Sequence, residues 1–295
     1  MKRTIIFLLA LMVSSSIGYA NLSKEADSQS NVVLNDTSSY QKGYSNVNGI
    51  KMYYEIHGQG MPIVLIHGGG STIESTFSRV IPLLAKSRKV IAVELQAHGR
   101  TSDRKQDVSF EQDADDVAAL LKNLNIDKAD LFGFSNGGTT AMQIAIRHPQ
   151  IVRKAVLASA LCKRNGIPDE FWTFMKQAKL ENMPEQLKEA YLKVTPDAAG
   201  LQTMHDKDAK RMVNFRDIPD EQISSIKVPT LIIIGDKDIM KPEHAIEMQR
   251  KIANSELAII PGIHGEYIEE VTTLGSGSEQ AAFVIPMIEK FLNKK

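Results

Sequence analysis

The chain has 295 residues, of which 43% are hydrophobic, and its 35 lysines and arginines balance its 35 aspartates and glutamates. This balance excludes the strongly basic composition typical of nucleic-acid binding and of attraction to anionic membranes, so we expect no nucleic-acid partner. A single cysteine, Cys162, excludes an internal disulfide, and the chain must therefore be stabilised by a hydrophobic core. We expect Cys162 to be a small buried apolar residue of that core.

The first 20 residues have the composition of a signal peptide for export. Residues 1–3 are charged at two positions, residues 5–13 are apolar, and Gly18-Tyr19-Ala20 has the small residues of a cleavage site. The apolar run is too short to span a bilayer, although an uncleaved membrane anchor is the alternative. We expect cleavage after Ala20, a periplasmic or secreted protein, and no stable membrane anchor afterwards. The polar residues 21–43 are expected to form a flexible leader.

Short runs of β-forming residues alternate with helical patterns along the rest of the chain. Residues 44–47 and 50–57 flank Asn48-Gly49, a dipeptide that favours a type I′ turn, and together they predict an antiparallel hairpin. Further strands are predicted at 62–66, 89–95, 131–134, 155–158, 231–234 and 256–260. Helices are predicted at 74–85, 110–124, 136–148 and 242–252, and a last amphipathic helix ends near Phe291, with Pro286 expected to kink it or delay its start. The alternation predicts an α/β fold, a mostly parallel sheet with helices on both faces.

One interval interrupts this alternation. Residues 163–227 contain only loops and helical patterns, with helices expected at 170–179, 184–194 and 202–215. We interpret this interval as a helical cap inserted between two strands at the carboxyl edge of the sheet. The body of the fold is then formed by residues 44–162 and 228–295.

The sequence Gly133-Phe134-Ser135-Asn136-Gly137 has the pattern G-x-S-x-G and joins a predicted strand to a predicted helix. A serine on such a sharp turn takes a strained backbone conformation that holds its hydroxyl clear of the sheet. The two glycines are needed because a Cβ atom at either position would collide with the neighbouring strand and helix. The pattern alone is weak, because a glycine-rich turn with an incidental serine has the same sequence.

Five motifs follow one another along the chain: His67-Gly68-Gly69-Gly70, Glu94-Leu95-Gln96-Ala97-His98-Gly99, the G-x-S-x-G pattern, Gly235-Asp236-Lys237-Asp238 and Gly262-Ile263-His264-Gly265. In order and spacing they resemble the α/β-hydrolase superfamily, and the chain is similar to its capped serine members, such as bacterial esterases and carbon–carbon bond hydrolases. The resemblance covers residues 44–292 and implies a mostly parallel eight-stranded sheet with an inserted helical cap. Residues 94–97 depart from the family pattern, in which aspartate often comes first and arginine-glycine precedes the His-Gly.

A serine hydroxyl is a poor nucleophile and needs a general base within hydrogen-bond reach, itself held by a carboxylate. The resemblance implies that the acid and then the histidine follow Ser135 along the chain. Beyond the helix that follows Ser135, the candidates for the base are His205, His244 and His264. We expect His264 to be the base, because it alone lies in a loop after the last strand, from which the imidazole can reach the serine.

For the acid, Asp236 and Asp238 both follow the strand predicted at 231–234. The family pattern places the acid three residues after the glycine, which gives Asp238, whereas Asp236 is expected to cap the turn. Some relatives carry the acid after the preceding strand, but residues 159–162 contain no carboxylate.

The oxyanion of an acyl-transfer reaction needs two backbone N–H donors. One is expected from Asn136, the residue after the nucleophile at a helix N-terminus, and the other from Gly69 in the glycine loop. The alternative for this loop is a flexible turn without a catalytic role. His98 is expected to brace a loop, and His57 and His148 to be structural.

Large apolar side chains are frequent in the predicted cap, and some of them should face Ser135 and form a pocket for an apolar acyl or alcohol group. These residues are Phe171, Trp172, Phe174, Met175, Met183, Tyr191, Met204, Met212 and Phe215. The sequence has no dinucleotide or phosphate-binding fingerprint and no Cys/His metal spacing, so we expect neither a cofactor nor a metal.

The sequence therefore predicts an exported serine hydrolase that cleaves small, mainly apolar carboxylic esters as a monomer or homodimer. The same residues could instead act on a carbon–carbon, lactone, amide or perhydrolysis substrate, because the acyl-enzyme machinery is shared. A non-catalytic protein that binds a small molecule on this scaffold is the remaining alternative.

Overall fold

The computed structural model describes residues 40–277 and 279–295. The predicted signal peptide and the part of the predicted leader up to residue 39 lie outside the described residues. Among the helices of the described ranges, none is both long enough and apolar enough to cross a membrane.

An eight-stranded sheet with the order β1-β2-β4-β3-β5-β6-β7-β8 forms the centre of the fold. The strands are β1 (Gln41–Val47), β2 (Ile50–His57), β3 (Met61–Ile66), β4 (Arg88–Val93), β5 (Ala129–Phe134), β6 (Val152–Ala158), β7 (Thr230–Lys237) and β8 (Ser255–Ile263). β2 pairs antiparallel with β1 and β4, and all other pairs are parallel. The prediction of an α/β fold with a mostly parallel sheet is confirmed.

The opening hairpin has the predicted turn but a longer first strand. Asn48 and Gly49 have φ angles of 41° and 86°, and two positive φ angles are the requirement of a type I′ turn. β1 begins at Gln41, within the segment predicted as leader, because its backbone pairs with β2 as far as Gln41 opposite Ile56. Backbone pairing needs no apolar side chain, so hydrophobic pattern did not mark the start of this strand.

Helices cover both faces of the sheet. They are α1 (Ile73–Phe77), α2 (Ile81–Leu84), α3 (Phe110–Asn123), α4 (Asn136–Arg147), α5 (Asp169–Met175), α6 (Glu185–Val194), α7 (Ala198–Val213), α8 (Asp220–Ser224), α9 (Pro242–Lys251) and α10 (Ala281–Asn293). Because strand side chains alternate, Val64 and Ile66 of β3 pack into the core shared with α3, α4 and α9, whereas Ile63 and Leu65 pack into the core shared with α1, α2 and α10.

Several helices differ from the predicted pattern: α8 was not predicted, α7 begins four residues before its predicted start, and two further differences involve prolines. The single helix expected at 74–85 is divided into α1 and α2, because Pro82 lacks the N–H that would continue a helix and lies instead in the first turn of α2. α10 begins at Ala281, five residues before Pro286, so the proline does not delay its start.

Between β6 and β7 the chain forms α5 to α8, all within the interval that the sequence predicted to be a cap. Tyr191 of α6 packs with Leu201 and Met204 of α7 in a small core of their own, and this core also includes Ala97 from the loop after β4. These helices therefore pack onto loops at the carboxyl ends of the central strands.

The G-x-S-x-G sequence forms the turn from β5 into α4. Ser135 has φ 54° and ψ −119°, a backbone conformation that L-residues rarely adopt. A Cβ atom at Gly133 would lie 2.0 Å from the carbonyl oxygen of Gly137, and one at Gly137 would lie 2.1 Å from that of Ile66. Only glycine fits at either position, so the close approach of β5, α4 and β3 depends on both glycines.

Candidate active site

Ser135, His264 and Asp238 are joined by hydrogen bonds at the carboxyl edge of the sheet. The Ser135 hydroxyl lies 3.1 Å from His264 Nε2, and His264 Nδ1 lies 2.8 Å from Asp238 Oδ1. Asp238 follows β7 directly and His264 follows β8 directly, so parallel strands bring both side chains to the same edge as Ser135. The structure thus brings together the three residues that the sequence predicted to be nucleophile, base and acid.

The Asp238 side chain is fully buried, and its charge is stabilised by hydrogen bonds. Burial alone would raise the pKa of this carboxyl, but the charge of His264 and its hydrogen bond outweigh burial and lower the pKa. The Met240 N–H also donates to Asp238 Oδ1 at 3.1 Å. Asp236, the alternative acid, is exposed and accepts the Gly262 N–H at 2.7 Å, as expected of a residue that stabilises the turn.

His264 has the surroundings of a base whose proton affinity is increased. Burial alone would lower the pKa of His264, but the Asp238 charge and hydrogen bond outweigh it and raise the pKa above 6.5. Because Asp238 accepts from Nδ1–H, the Nε2 lone pair of the neutral ring points at the Ser135 hydroxyl. The Phe134 ring lies 4.8 Å from the imidazole, between ring centroids, and restricts its tilt.

Two further hydroxyls extend this line of hydrogen bonds behind Asp238. The Ser159 hydroxyl donates to Asp238 Oδ2 at 2.6 Å, and the Tyr267 hydroxyl lies 2.6 Å from Ser159 Oγ. Because the Ser159 hydroxyl proton is donated to Asp238, the Tyr267 hydroxyl must be the donor in its hydrogen bond with Ser159 Oγ. Ser159 follows β6 directly with φ 47°, and burial raises the pKa of Tyr267, which keeps it protonated as a donor. The sequence prediction noted only that no carboxylate follows β6 and did not anticipate either hydroxyl.

Gly69 and Asn136, the predicted oxyanion donors, both line the cavity next to Ser135. A Cβ atom at Gly69 would lie 2.4 Å from the Asn136 side-chain nitrogen, so a larger residue at this position would displace the Asn136 side chain. The first N–H groups of a helix have no partner within the helix, and Asn136 is the first residue of α4. Both predicted donors therefore belong to residues that line the same cavity as Ser135.

The cavity above Ser135 has a volume of about 320 Å³ and a mainly apolar lining from the cap. Of the nine apolar cap residues singled out in the sequence, five line it: Phe171, Phe174, Met175, Met183 and Met212. The other four are buried in packing contacts: Trp172, Tyr191, Met204 and Phe215. His205 also lines the cavity, and its Nδ1 lies 3.0 Å from Asp206.

The remaining histidines near the site are held by local hydrogen bonds. His67 Nδ1 donates to the Gly68 carbonyl and its Nε2 accepts the Leu95 N–H, and burial lowers its pKa to about 3, so the ring is neutral. His98 Nε2 lies 2.9 Å from Asp208 Oδ2, a contact between a body loop and the cap that the sequence did not predict.

Cys162 is buried, as predicted, and burial raises the pKa of its thiol to about 12. Within residues 40–277 and 279–295, no group of three or more His, Cys, Asp or Glu side chains is placed to hold a metal ion.

Comparison with known proteins identifies the family. The family model for the α/β-hydrolase fold matches residues 61–207. The AB hydrolase superfamily protein YisY of Bacillus subtilis is 26% identical over 254 residues, which cover 77% of this chain and 93% of that protein. The pimeloyl-[acyl-carrier protein] methyl ester esterase of Neisseria meningitidis is 27% identical over 222 residues, 67% of this chain and 69% of that protein.

A solved structure agrees with this assignment at the level of the fold. The crystal structure of a serine hydrolase involved in carbazole degradation superposes with a TM-score of 0.68 at 22% identity, covering 85% of this chain and all of that one. The sheet order, the elbow turn and these likenesses together identify the chain as a hydrolase that belongs to the α/β-hydrolase superfamily.

Proposed function

We propose that this chain is an exported serine hydrolase that cleaves small, mainly apolar carboxylic esters. The proposal rests on two consecutive hydrogen bonds, from Asp238 to His264 and from His264 to the Ser135 hydroxyl, together with the mainly apolar cavity that Ser135 lines. A serine with a base on one side and a substrate-sized cavity on the other is the arrangement needed for acyl transfer.

In the proposed reaction the neutral His264 ring takes the hydroxyl proton as Ser135 attacks the ester carbonyl. The charge that develops on the carbonyl oxygen is stabilised by the N–H groups of Gly69 and Asn136. His264 then gives the proton to the leaving alcohol. In the second half, His264 takes a proton from water as the water oxygen attacks the acyl carbonyl, and it returns this proton to the Ser135 oxygen as the carboxylic acid leaves. Asp238 stays ionised throughout and stabilises the imidazolium form of His264.

The preference for apolar esters is supported by the side chains of the cavity. Phe171, Met175, Met183 and Met212 offer an acyl chain an apolar surface, and methionines adapt to chains of different shape. The relative from Neisseria meningitidis is named as a methyl ester esterase, which supports ester chemistry on this scaffold. Export is part of the proposal because of the signal-like residues 1–20, and a mature chain that begins at Asn21 would support it.

The Ser135→Ala variant tests the nucleophile. Turnover of an activated short-chain ester is expected to fall by about six orders of magnitude, because loss of the nucleophile abolishes the acyl-enzyme route. The measurement is kcat on a series of p-nitrophenyl esters of increasing acyl length, with lactones, amides and carbon–carbon bond substrates in parallel. A loss of less than about tenfold would remove Ser135 from the mechanism. If a substrate of another class is hydrolysed faster than every ester, the ester assignment is wrong, but Ser135 remains the nucleophile.

The pH dependence of kcat/KM tests His264. Protonation of His264 removes the lone pair that accepts the serine proton, so activity is lost as pH falls through the pKa of this group. Because Asp238 raises that pKa above 6.5, the acid limb is expected to have its midpoint above pH 6.5. A midpoint below pH 6.5 in the free enzyme would contradict the assigned pairing.

Removal of the Ser159 hydroxyl tests whether its hydrogen bond to Asp238 contributes to catalysis. Ser159→Ala is expected to lower kcat by about tenfold, the equivalent of one hydrogen bond to a charged group, and Tyr267→Phe by about threefold. Ser255→Ala serves as the matched control, because its hydroxyl donates to Ile252 and has no contact with Asp238. Equal kcat values in Ser159→Ala and Ser255→Ala would show that the Ser159 bond has no part in catalysis.

A further inference from the structure

Asp208 of α7 reaches from the cap helices to the glycine loop after β3. Its Oδ2 accepts the Gly70 N–H at 2.6 Å and lies 2.9 Å from His98 Nε2. The same oxygen would lie 3.1 Å from a Cβ atom placed at Gly69, and Asp208 lines the cavity together with Ser135. A cap carboxylate is therefore in direct contact with the loop that carries one of the proposed oxyanion donors.

The charge of Asp208 is compensated within a buried network. Its Oδ1 pairs with Arg211, one turn later on α7, and a second nitrogen of Arg211 donates to Asp113 Oδ2 of α3 at 2.6 Å. The Asp208, Arg211 and Asp113 side chains are 11%, 3% and 1% exposed. Charges this deeply buried must be paired, so the position of Asp208 is fixed by its partners.

His98 completes this network as a cation. Its Nδ1 lies 2.8 Å from the carbonyl oxygen of Gln96, and its Nε2 lies 2.9 Å from Asp208 Oδ2. Both neighbours are acceptors, so both ring nitrogens must carry a proton. Burial alone would lower the pKa of His98, but the Asp208 charge outweighs it and raises the pKa. His98 and Arg211 then balance Asp208 and Asp113, with two positive and two negative charges.

The contact with Gly70 matters because the loop has little rigidity of its own. Three consecutive glycines allow many backbone conformations, and Gly70 has a φ angle of 68°. The Gly70 N–H belongs to the same peptide plane as the Gly69 carbonyl, whose oxygen accepts a second bond from the Ser71 hydroxyl at 3.3 Å. The Gly69 N–H lies in the preceding peptide plane, which meets this one at the Gly69 Cα atom. By holding the second plane, Asp208 limits the backbone conformations that are open to Gly69.

We propose that Asp208 is a positioning residue that orients the oxyanion-binding glycine loop from the cap, with His98 as the cation that holds it in place. The inference rests on the proposed acyl-transfer function. It implies that the oxyanion site is complete only when α7 is seated against the body. Asp208 acts on Gly69 through the hydrogen bond that it accepts from the Gly70 N–H.

The test compares two buried carboxylates of the same network, of which only Asp208 contacts the glycine loop. In Asp208→Asn, kcat on an activated ester is expected to fall by about tenfold with KM within about threefold of wild type, because loss of a well-oriented oxyanion donor affects the transition state and not substrate binding. In Asp113→Asn, kcat is expected to stay within about twofold of wild type, because the amide oxygen can still accept from Arg211 and Asp208 keeps all of its own contacts. Both variants are expected to lower the melting temperature. Asp208→Ala, which removes the acceptor altogether, is expected to lose more kcat than Asp208→Asn.

A second readout separates positioning from loss of stability. A trifluoromethyl ketone of the same acyl length adds to the nucleophilic serine and places a negative oxygen at the proposed oxyanion site. Its affinity for Asp208→Asn is expected to fall by the same factor as kcat, and its affinity for Asp113→Asn to stay at the wild-type value. Equal kcat and equal inhibitor affinity in the two Asn variants would overturn the inference, and Asp208 would then only stabilise the contact between the cap and the body. Absence of Ser135-dependent turnover in the wild-type protein would instead overturn the proposed function.

Discussion

The strained backbone of Ser135 is the constraint on which the site depends. A residue at φ 54° and ψ −119° is held only by its surroundings, here by β5 before it, α4 after it and the carbonyl oxygens of Ile66 and Gly137 packed against two glycines. The buried apolar residues of β3 and β5 keep those surroundings rigid. The free energy of core packing thus maintains a turn that exposes one hydroxyl above the sheet.

The electrostatics of the site follow from this placement. Strands β6, β7 and β8 run parallel to β5, so the residues that follow them collect at the same edge: Ser159, Asp238 and His264. Polar groups that are shielded from water need hydrogen-bond partners. Here the partners form one chain of hydrogen bonds, which runs from Tyr267 through Ser159, Asp238 and His264 to Ser135. A second buried network, formed by Asp208, His98 and Arg211, joins the cap to the glycine loop.

Much of this architecture could be predicted from the sequence, because it depends on local patterns. Buried strands give apolar runs, the elbow needs its two glycines, and parallel strands bring residues 135, 238 and 264 to one edge. The break between α1 and α2 at Pro82 was equally local and could have been found from the missing proline N–H. The hydrogen bonds that Ser159 donates to Asp238 and Gly70 donates to Asp208 could not be predicted. They join residues that are 79 and 138 positions apart, respectively, and no sequence periodicity records this geometry.

The most direct test of the central claim is the mass of the folded protein after reaction with a fluorophosphonate probe, followed by peptide mapping. If the Ser135 hydroxyl is activated by His264, we expect one adduct per chain, on the peptide that contains Ser135, and no adduct after prior unfolding. Folded protein that remains unlabelled at Ser135, or that is labelled at another serine instead, would contradict the assignment of this hydroxyl as the nucleophile.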